Sequence, residues 1–436
     1  MKPTSQTTRS TMNTLPGPEN VTRVQLENGI TILARSNFNS PSVVLTGYLQ
    51  NGGLFDSDEL LGLAHFTSLA LLRGTRRRNF QQVYDSLESI GASLGFGSGV
   101  HTTGFNAHSL SEDLPTLLDL LRELLQEPVF PPEQIERLRA QILTGLAIRA
   151  QDTGDMASLT FDKLIYPNHP YGRPEDGYPE TIQAITRADI QAYHRKTYGP
   201  RGMVIVVVGA IEPQSAVEHV SRLLGDWQNP DQPDPPALPP IQPGEKSQVQ
   251  KVVISGKSQS DLVMGFLGLT RKSPDYMPAS LGNNILGQFG MYGRIGDVVR
   301  EQSGLAYYAY TNLNAGLGPG TWEVTAGVNP ANIQKTIDLV RQEIARFTRE
   351  LVSPEELSDS QANFIGRLPL SLESNNGMAS SLLNLERFDL GLDYYQRYPD
   401  LVRAVTPEAI LETARRYLDP DRIAVAIAGP ENGAIQ

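Results

Sequence analysis

The segment GLAHFTSLALLRGT at residues 62–75 places a histidine in a setting that is typical of a helical zinc site. Zinc hydrolases use about three protein ligands, an open position for water and a nearby carboxylate that accepts a proton. On a helix, H-x-x-E-H provides two histidine ligands four residues apart, with the glutamate between them as the base. Here Ser68 stands at the position of the base and Leu69 at that of the second ligand, whereas His65 is retained. The segment therefore has the layout of a metal site but lacks most of its donor atoms.

A second candidate lies in GRIGDVVREQSGLAYYAYTN, at residues 293–312. A helix is predicted to end at Gly304, because glycine is a common helix stop signal, and a strand to begin at Leu305. Arg300 then lies in the last helical turn, and Tyr307 lies on the strand face shared with Leu305 and Ala309. By itself the pair is explained by an arginine at a helix C-terminus and an exposed strand tyrosine.

Composition restricts the possible partners. The 436 residues carry a formal net charge of -11, which repels nucleic acid and acidic lipid headgroups, so no nucleic-acid partner is expected. The chain has no cysteine, which excludes disulfides, thiolate ligands and cysteine nucleophiles.

Neither a membrane span nor a secretory signal is predicted. The longest strongly apolar run, MVIVVVGAI at 203–211, is about half as long as a bilayer span and is interpreted as a buried strand. Residues 1–20 are expected to form a flexible tail of a cytoplasmic protein. Their Ser/Thr-rich, acid-poor composition leaves a transit peptide as an alternative.

The chain contains an internal repeat, in which one structural unit occurs twice. Residues 186–209 align without a gap with residues 406–429, an offset of 220, and Thr, Pro and Gly coincide at Thr186/Thr406, Pro200/Pro420 and Gly209/Gly429. Helix-period and strand-like segments in each copy predict an α+β fold: two homologous lobes, each an antiparallel-rich sheet with helices on one face, forming a clamshell. The predicted boundaries are 21–227 for the first lobe, 228–246 for a proline-rich linker and 247–436 for the second lobe.

The segment at 62–75 resembles the G-x-A-H-F-L-E-H-M-x-F-x-G-T signature of the pitrilysin or insulinase family of zinc peptidases, which includes the mitochondrial processing peptidases. Three further segments are similar to that family, namely IGASLGFGSGVHTTGF, YPNHPYGRPEDGYPETI and VVREQSGLAYYAY, so the resemblance runs from about residue 22 to about residue 430. The signature positions that agree are Gly62, Ala64, His65, Phe66, Gly74 and Thr75.

The resemblance implies that the zinc site has been lost. The family's third ligand is a glutamate some seventy residues beyond the motif, and Gly145 falls at that position. We therefore expect no metal in this chain, and a structural role for His65. A rebuilt site from His101, His108 and His169 is a weaker alternative, because His101 and His108 would face opposite sides of one strand.

The resemblance also assigns a role to Arg300 and Tyr307, since similar proteins carry this pair on the lobe opposite the metal, where both reach the scissile carbonyl. The implied function is a non-catalytic subunit of a heterodimeric zinc metalloendopeptidase. A zinc-bearing paralogous partner would supply metal and base, this chain would supply Arg300 and Tyr307, and the substrate would be a peptide or an unfolded chain.

Two alternatives stay open. The first is a catalytically inert structural or peptide-binding protein, like the core subunits of respiratory complexes, and it gives the Arg/Tyr pair no role. The second is a self-sufficient hydrolase with a new metal site. The glycine-rich segment GQFGMYGRIG at 287–296 lacks the lysine of a phosphate-binding loop and is interpreted as a flexible lip of the substrate chamber.

Overall fold

The computed structural model describes residues 15–241, 244, 246–290 and 293–431. The first 14 residues of the predicted tail lie outside these ranges, as do positions 242, 243 and 245 of the predicted linker. The described strands are β1 Thr22–Gln25, β2 Thr31–Ser36, β3 Ser42–Leu49, β4 Ser93–Ser98, β5 Thr103–Leu110, β6 Val204–Gly209, β7 Gln248–Val253, β8 Ser260–Leu267, β9 Ala306–Asn314, β10 Thr321–Val328 and β11 Ala424–Gly429.

The described α-helices fall between the strands in both halves of the chain. They are α1 Leu63–Ala70, α2 Phe80–Glu88, α3 Leu114–Gln126, α4 Pro132–Arg149, α5 Thr153–Ile165, α6 Pro179–Ala184, α7 Arg187–Thr197, α8 Pro213–Leu224, α9 Tyr276–Gly287, α10 Gly293–Gly296, α11 Ile333–Phe347, α12 Pro354–Ser371, α13 Asn375–Arg387, α14 Tyr394–Arg403 and α15 Pro407–Tyr417. A π-helical turn, Asp297–Gln302, directly follows α10.

The two sheets share one strand order, which confirms the repeat. The first sheet runs β1-β2-β6-β3-β5-β4 and the second runs β7-β11-β8-β10-β9, so the first repeats the second with β1 added at its edge. In each sheet one pair is parallel, β2 with β6 and β7 with β11, and the remaining pairs are antiparallel. The antiparallel-rich α+β fold predicted from the sequence is therefore correct.

The residues that coincide between the copies have equivalent structural roles. Thr186 and Thr406 both cap helices, accepting hydrogen bonds from the backbone N–H groups of Asp189 and Ala409. Gly209 and Gly429 both end a central strand, where a β-carbon would lie 2.2 Å from Ser42 O or 2.9 Å from Ser260 Cα. Glycine is required at both strand ends because a neighbouring strand approaches too closely for a side chain.

The central strands β6 and β11 are buried along their whole length, because each sheet is covered on both faces. The larger core of the first sheet joins Ile205 and Val207 to helices α1, α3, α7 and α8, and that of the second joins Val425 and Ile427 to α9 and α11. The opposite face carries one helix: α13 packs on β3 and β6, and α5 packs on β8 and β11.

The chain forms two compact units that are not continuous in sequence. Among the described residues, the first comprises those within 15–146, 174–237 and 368–397, and the second comprises those within 147–173, 238–367 and 398–431. Each unit thus contains one helix from the other sequence repeat. Helix α13, from the second repeat, belongs to the first unit, and helix α5, from the first repeat, belongs to the second unit. This differs from the continuous boundaries 21–227 and 247–436, because an amphipathic helix carries no local signal of which sheet it packs on.

The proline-rich segment has neither helix nor strand at residues 232–241, and side chains hold both of its ends. In the first unit, the Gln232 amide accepts from Arg201 N at 3.0 Å and donates to Arg201 O at 3.0 Å. In the second unit, His169 Nε2 lies 3.2 Å from Pro239 O, and the hydroxyl of Tyr171 accepts from Gly318 N at 2.9 Å. The YPNHPYG segment therefore organises loops.

Within the described residues, no helix is long and apolar enough to cross a membrane.

Candidate functional site

The degenerate motif lies on α1, whose start is held in place by Asp56. This buried carboxylate accepts hydrogen bonds from Gly62 N and Ala64 N, both at 3.0 Å, and so pairs two N–H groups of the first turn. Gly62 has φ +94°, and a β-carbon there would lie 2.8 Å from Ile182 Cδ1. The signature glycine is thus required both by its backbone conformation and by packing.

His65 is partly buried in the first turn of α1. Burial lowers the pKa of its imidazole below the ordinary value, and the negative charge of Asp176 acts in the opposite direction. Ser68 is fully buried, and its hydroxyl donates to His65 O at 2.8 Å, a bond back to the preceding helical turn. Ser68 therefore serves the helix backbone and offers no base.

Gly145 lies on α4, exposed, and a β-carbon added there would meet no atom within 4 Å. The position thus has room for a side chain but provides no donor atom. Leu69 packs against the core of the first unit. Of the four motif positions, only His65 has a side chain able to bind zinc, and one neutral imidazole does not satisfy the ion.

Three of these positions, His65, Leu69 and Gly145, line a cavity of about 320 Å³ in the first unit. Among the described residues, no group of three His, Asp or Glu side chains is arranged to hold a metal ion. The donor set therefore does not fit zinc, and the cavity wall is mixed apolar and polar. It is formed by His65, Leu69, Leu72, Arg73, Tyr84, Leu138, Gln141, Ile142, Gly145, Leu146 and Asp176.

The other histidines considered for a rebuilt site have separate roles. His108 is exposed, and its Nδ1 lies 2.7 Å from Ser93 Oγ, the residue opposite it on β4. His169 is buried in the second unit, between the rings of Tyr166 and Tyr171 at 5.8 and 4.9 Å. His101 lies in the turn between β4 and β5.

Arg300 and Tyr307 lie in the second unit, on either side of the corner predicted from the sequence. Arg300 belongs to the π-helical turn, Gly304 follows with φ +62°, and β9 begins at Ala306. Such π-helical turns are rare and occur often at functional sites. The Arg300 side chain is 33% exposed, and its Nη1 lies 3.6 Å from Glu301 Oε1.

Tyr307 lies at an irregularity in the pairing of β9 with β10. Gly327 pairs with Tyr308 and Val328 with Ala306, so Tyr307 is an extra residue without a partner in the register. Leu305 and Ala309 are buried, whereas Tyr307 is 72% exposed. The strict alternation predicted for Leu305, Tyr307 and Ala309 therefore fails, because a bulge interrupts the period of two.

Two networks, one buried and one partly buried, hold this corner. The carboxylate of Asp261 accepts hydrogen bonds from the hydroxyls of Tyr308 and Thr153, and from Gln259 Nε2 at 2.8 Å. Arg294, three residues before the π-helical turn, forms a bidentate ion pair with Glu356, both contacts being 2.7 Å. The two ends of the corner are thus anchored separately.

The glycine-rich segment begins at the end of α9. A β-carbon at Gly287 would lie 2.5 Å from the Thr311 side chain, and Gly290 and Gly293 have φ of +61° and +60°. Residues 291 and 292 of the predicted lip lie outside the described residues. The glycines at 287, 290 and 293 are explained by packing or backbone conformation, and the role of the segment as a lip stays a prediction.

Sequence reasoning missed the neighbours of His65 in the cavity: Arg73, Tyr84, Gln141 and Asp176. Arg73 stands within the signature segment, and Gln141 precedes Gly145 by one helical turn, so helical spacing was a usable signal. Asp176 lies in the family-like segment YPNHPYGRPEDGYPETI, but local spacing does not show that this segment contacts α1, which is distant in sequence.

Comparison with known proteins defines the class. Residues 31–164 match the family model described as Insulinase (Peptidase family M16), and residues 184–364 match the model described as Peptidase M16 inactive domain. Together they span well over half of the 436 residues. The chain belongs to the M16 peptidase family, so the resemblance found in the sequence is confirmed.

Similar proteins and solved structures are consistent with this family and its fold. An uncharacterized zinc protease of Streptomyces coelicolor is 24% identical, covering 94% of this chain and 90% of the relative; for one from Bacillus subtilis the values are 23%, 94% and 98%. The structure of a peptidase M16 inactive domain from Pseudomonas fluorescens is 25% identical with a TM-score of 0.85, covering 95% of this chain and 99% of that one. A Helicobacter pylori protease, 17% identical with a TM-score of 0.87 over 95% and 100% of the chains, shares the fold.

Proposed function

We propose that this chain is a non-catalytic subunit of a heterodimeric zinc metalloendopeptidase. A zinc-bearing paralogous subunit would supply the metal and the base, and this chain would supply Arg300 and Tyr307. The substrate class is a peptide or an unfolded polypeptide, as in the peptidase family to which the chain belongs.

One observation carries the proposal, namely the contrast between the two candidate sites. At positions 65, 68, 69 and 145, only His65 retains a group that binds zinc. At the Arg300 corner, by comparison, the arginine is partly exposed and the tyrosine is 72% exposed. An exposed tyrosine at a β-bulge and an arginine in a π-helical turn are unusual features for a segment with only a structural role.

The chemistry of the pair suits peptide hydrolysis. When water adds to a peptide bond, negative charge develops on the carbonyl oxygen, and hydrogen-bond donors placed at that oxygen lower the barrier. An arginine guanidinium offers several N–H donors in a fixed planar arrangement, and a tyrosine hydroxyl offers one O–H donor. Neither group has to gain or lose a proton, so the partner subunit alone would carry the proton transfer.

The test is to co-express this chain with a paralogue from the same genome that has an unbroken H-x-x-E-H, purify the complex and measure peptide cleavage. We expect Arg300→Ala and Tyr307→Phe each to lower kcat by about a hundredfold while the complex still assembles. Suitable controls are Arg349→Ala, at an exposed arginine beyond α11, and Tyr310→Phe, which removes another β9 hydroxyl. Full activity in both test variants would contradict the proposal and favour the inert alternative.

A further inference from the structure

The cavity around His65 has the composition of a small-molecule site rather than that of a metal site. Such sites commonly measure about 300–1,000 Å³, with apolar walls and a few placed polar groups, and this cavity measures about 320 Å³. The apolar part of its wall consists of five aliphatic side chains: Leu69, Leu72, Leu138, Ile142 and Leu146. Leu69 replaces the second histidine of the family motif, so the same substitution that removes a ligand extends the apolar wall.

Arg73 is a donor whose hydrogen-bonding capacity is only partly used. Its Nη2 donates to Gln141 Oε1 at 2.7 Å, and its guanidinium carbon lies 5.1 Å from the centre of the Phe80 ring. Its Nε–H is buried and has no acceptor among the described residues. The Arg73 side chain as a whole is partly buried, so the cost falls on this one N–H group, and an acceptor that enters the site would remove it.

The polar groups of the cavity are divided between two ends. The Tyr84 ring centre lies 4.9 Å from that of Phe80, the ring that the Arg73 guanidinium also contacts, so the phenol and the guanidinium lie at one end. The negative charge of Asp176 acts on His65, which precedes Arg73 by eight residues or about two helical turns, so the acidic group lies toward the other end. The Arg73 end is therefore suited to an anion, because a guanidinium with a neighbouring hydroxyl matches the geometry of a carboxylate.

We propose that this cavity binds a small organic carboxylate with an aliphatic body, such as the C-terminal residue of a peptide with a leucine-like side chain. The carboxylate pairs with Arg73 and Tyr84, and the aliphatic body packs on Leu69, Leu138 and Ile142. Because every lining residue belongs to the first unit, this site is independent of Arg300 and Tyr307. It does not require the partner subunit.

The experiment uses the isolated full chain and two probes, N-acetyl-leucine and N-acetyl-leucinamide, which share the aliphatic body and differ in the carboxylate. Isothermal titration at pH 7 is expected to give one-to-one binding of the acid, at least about tenfold tighter than binding of the amide. Arg73→Gln is expected to abolish this preference. Arg76→Gln, at an exposed arginine three residues further on that does not line the cavity, is expected to keep it.

A second variant separates the ligand site from a folding effect. Leu69→Phe fills the cavity with a residue of similar polarity, so it is expected to weaken binding of both probes while circular dichroism stays unchanged. Absence of saturable binding by the wild-type chain would overturn the proposal. Equal affinity for acid and amide, or an acid preference that survives in a folded Arg73→Gln chain, would do so as well.

Discussion

Arg294 and Glu356 form a bidentate ion pair, Nε to Oε1 and Nη2 to Oε2 both at 2.7 Å, which fastens the turn before Arg300 to the start of α12. The guanidinium is 13% exposed and also lies 5.5 Å from the Phe347 ring centre. The geometry is that of the strong, planar arginine–carboxylate pair rather than a loose surface contact. The contribution of this ion pair to the free energy of unfolding depends on pH.

Hydrogen bonding from Arg294, with the Ser353 backbone N–H as a further donor, lowers the pKa of Glu356 from 4.5 to about 2. Because the folded-state pKa is depressed, the stabilisation is complete above the unfolded-state value and is lost as pH falls from about 4.5 to about 2. Glu356→Gln is expected to lower the free energy of unfolding at pH 7 by about 1–2 kcal/mol, a value reduced for solvent screening. The deficit should shrink toward pH 2.

Urea denaturation between pH 7 and pH 2.5 measures this dependence. Glu355→Gln, at the adjacent exposed glutamate, is the matched control and should follow the wild-type curve. A Glu356→Gln deficit that stays constant over the whole pH range would show that the ion pair does not stabilise the corner.

Asp261 is 4% exposed and accepts from three donors, one of which is the hydroxyl of Tyr308, the residue after the bulge at Tyr307. Asp261→Ala leaves the hydroxyls of Tyr308 and Thr153 and the Gln259 amide without their acceptor. We expect a loss of about 2–4 kcal/mol in the free energy of unfolding, and a smaller loss for Asp261→Asn, which keeps one oxygen. Asp359→Ala, on the exposed surface of α12, is the control, and an equally small effect of Asp261→Ala would refute this role.

Gly145 should be replaceable, because it lies inside α4 with a negative φ and open space at its β-carbon. Glycine inside a helix is less favourable than alanine, so Gly145→Ala is expected to raise the free energy of unfolding by about 0.5–1 kcal/mol. Gly366→Ala, at a second exposed helical glycine with equal room on α12, should give a similar gain. Thermal denaturation measures both, and destabilisation by Gly145→Ala alone would indicate a requirement for glycine there.

The sequence was sufficient to predict those features that depend on local pattern. The glycine stop at Gly304 and the repeat that aligns Thr186 with Thr406 were identifiable from residue type and spacing. The exchange of α5 and α13 between the two units was not identifiable from the sequence, because the pattern of an amphipathic helix does not specify which sheet the helix packs on. The bulge at Tyr307 was also missed, because register depends on which residues of β10 lie opposite.

The lost metal site should be recoverable. Leu69→His with Gly145→Glu, together with the native His65, restores three protein ligands of the kinds that zinc prefers. We expect the double variant to retain about one zinc per chain after dialysis, and the wild-type chain to retain none. Adding His65→Ala to the double variant is the control and should abolish retention, whereas zinc bound equally by wild type and variant would mean that another site exists.

The most direct test of the division of labour is a reconstitution. A fixed amount of the zinc-bearing paralogue is titrated with this chain, and hydrolysis of a quenched fluorescent peptide is recorded at each ratio. The proposal predicts negligible turnover by either chain alone and a linear rise to a plateau at a one-to-one ratio, with no rise when the added chain carries Arg300→Ala and Tyr307→Phe. Full turnover by the paralogue alone, or hydrolysis by this chain alone, would contradict it.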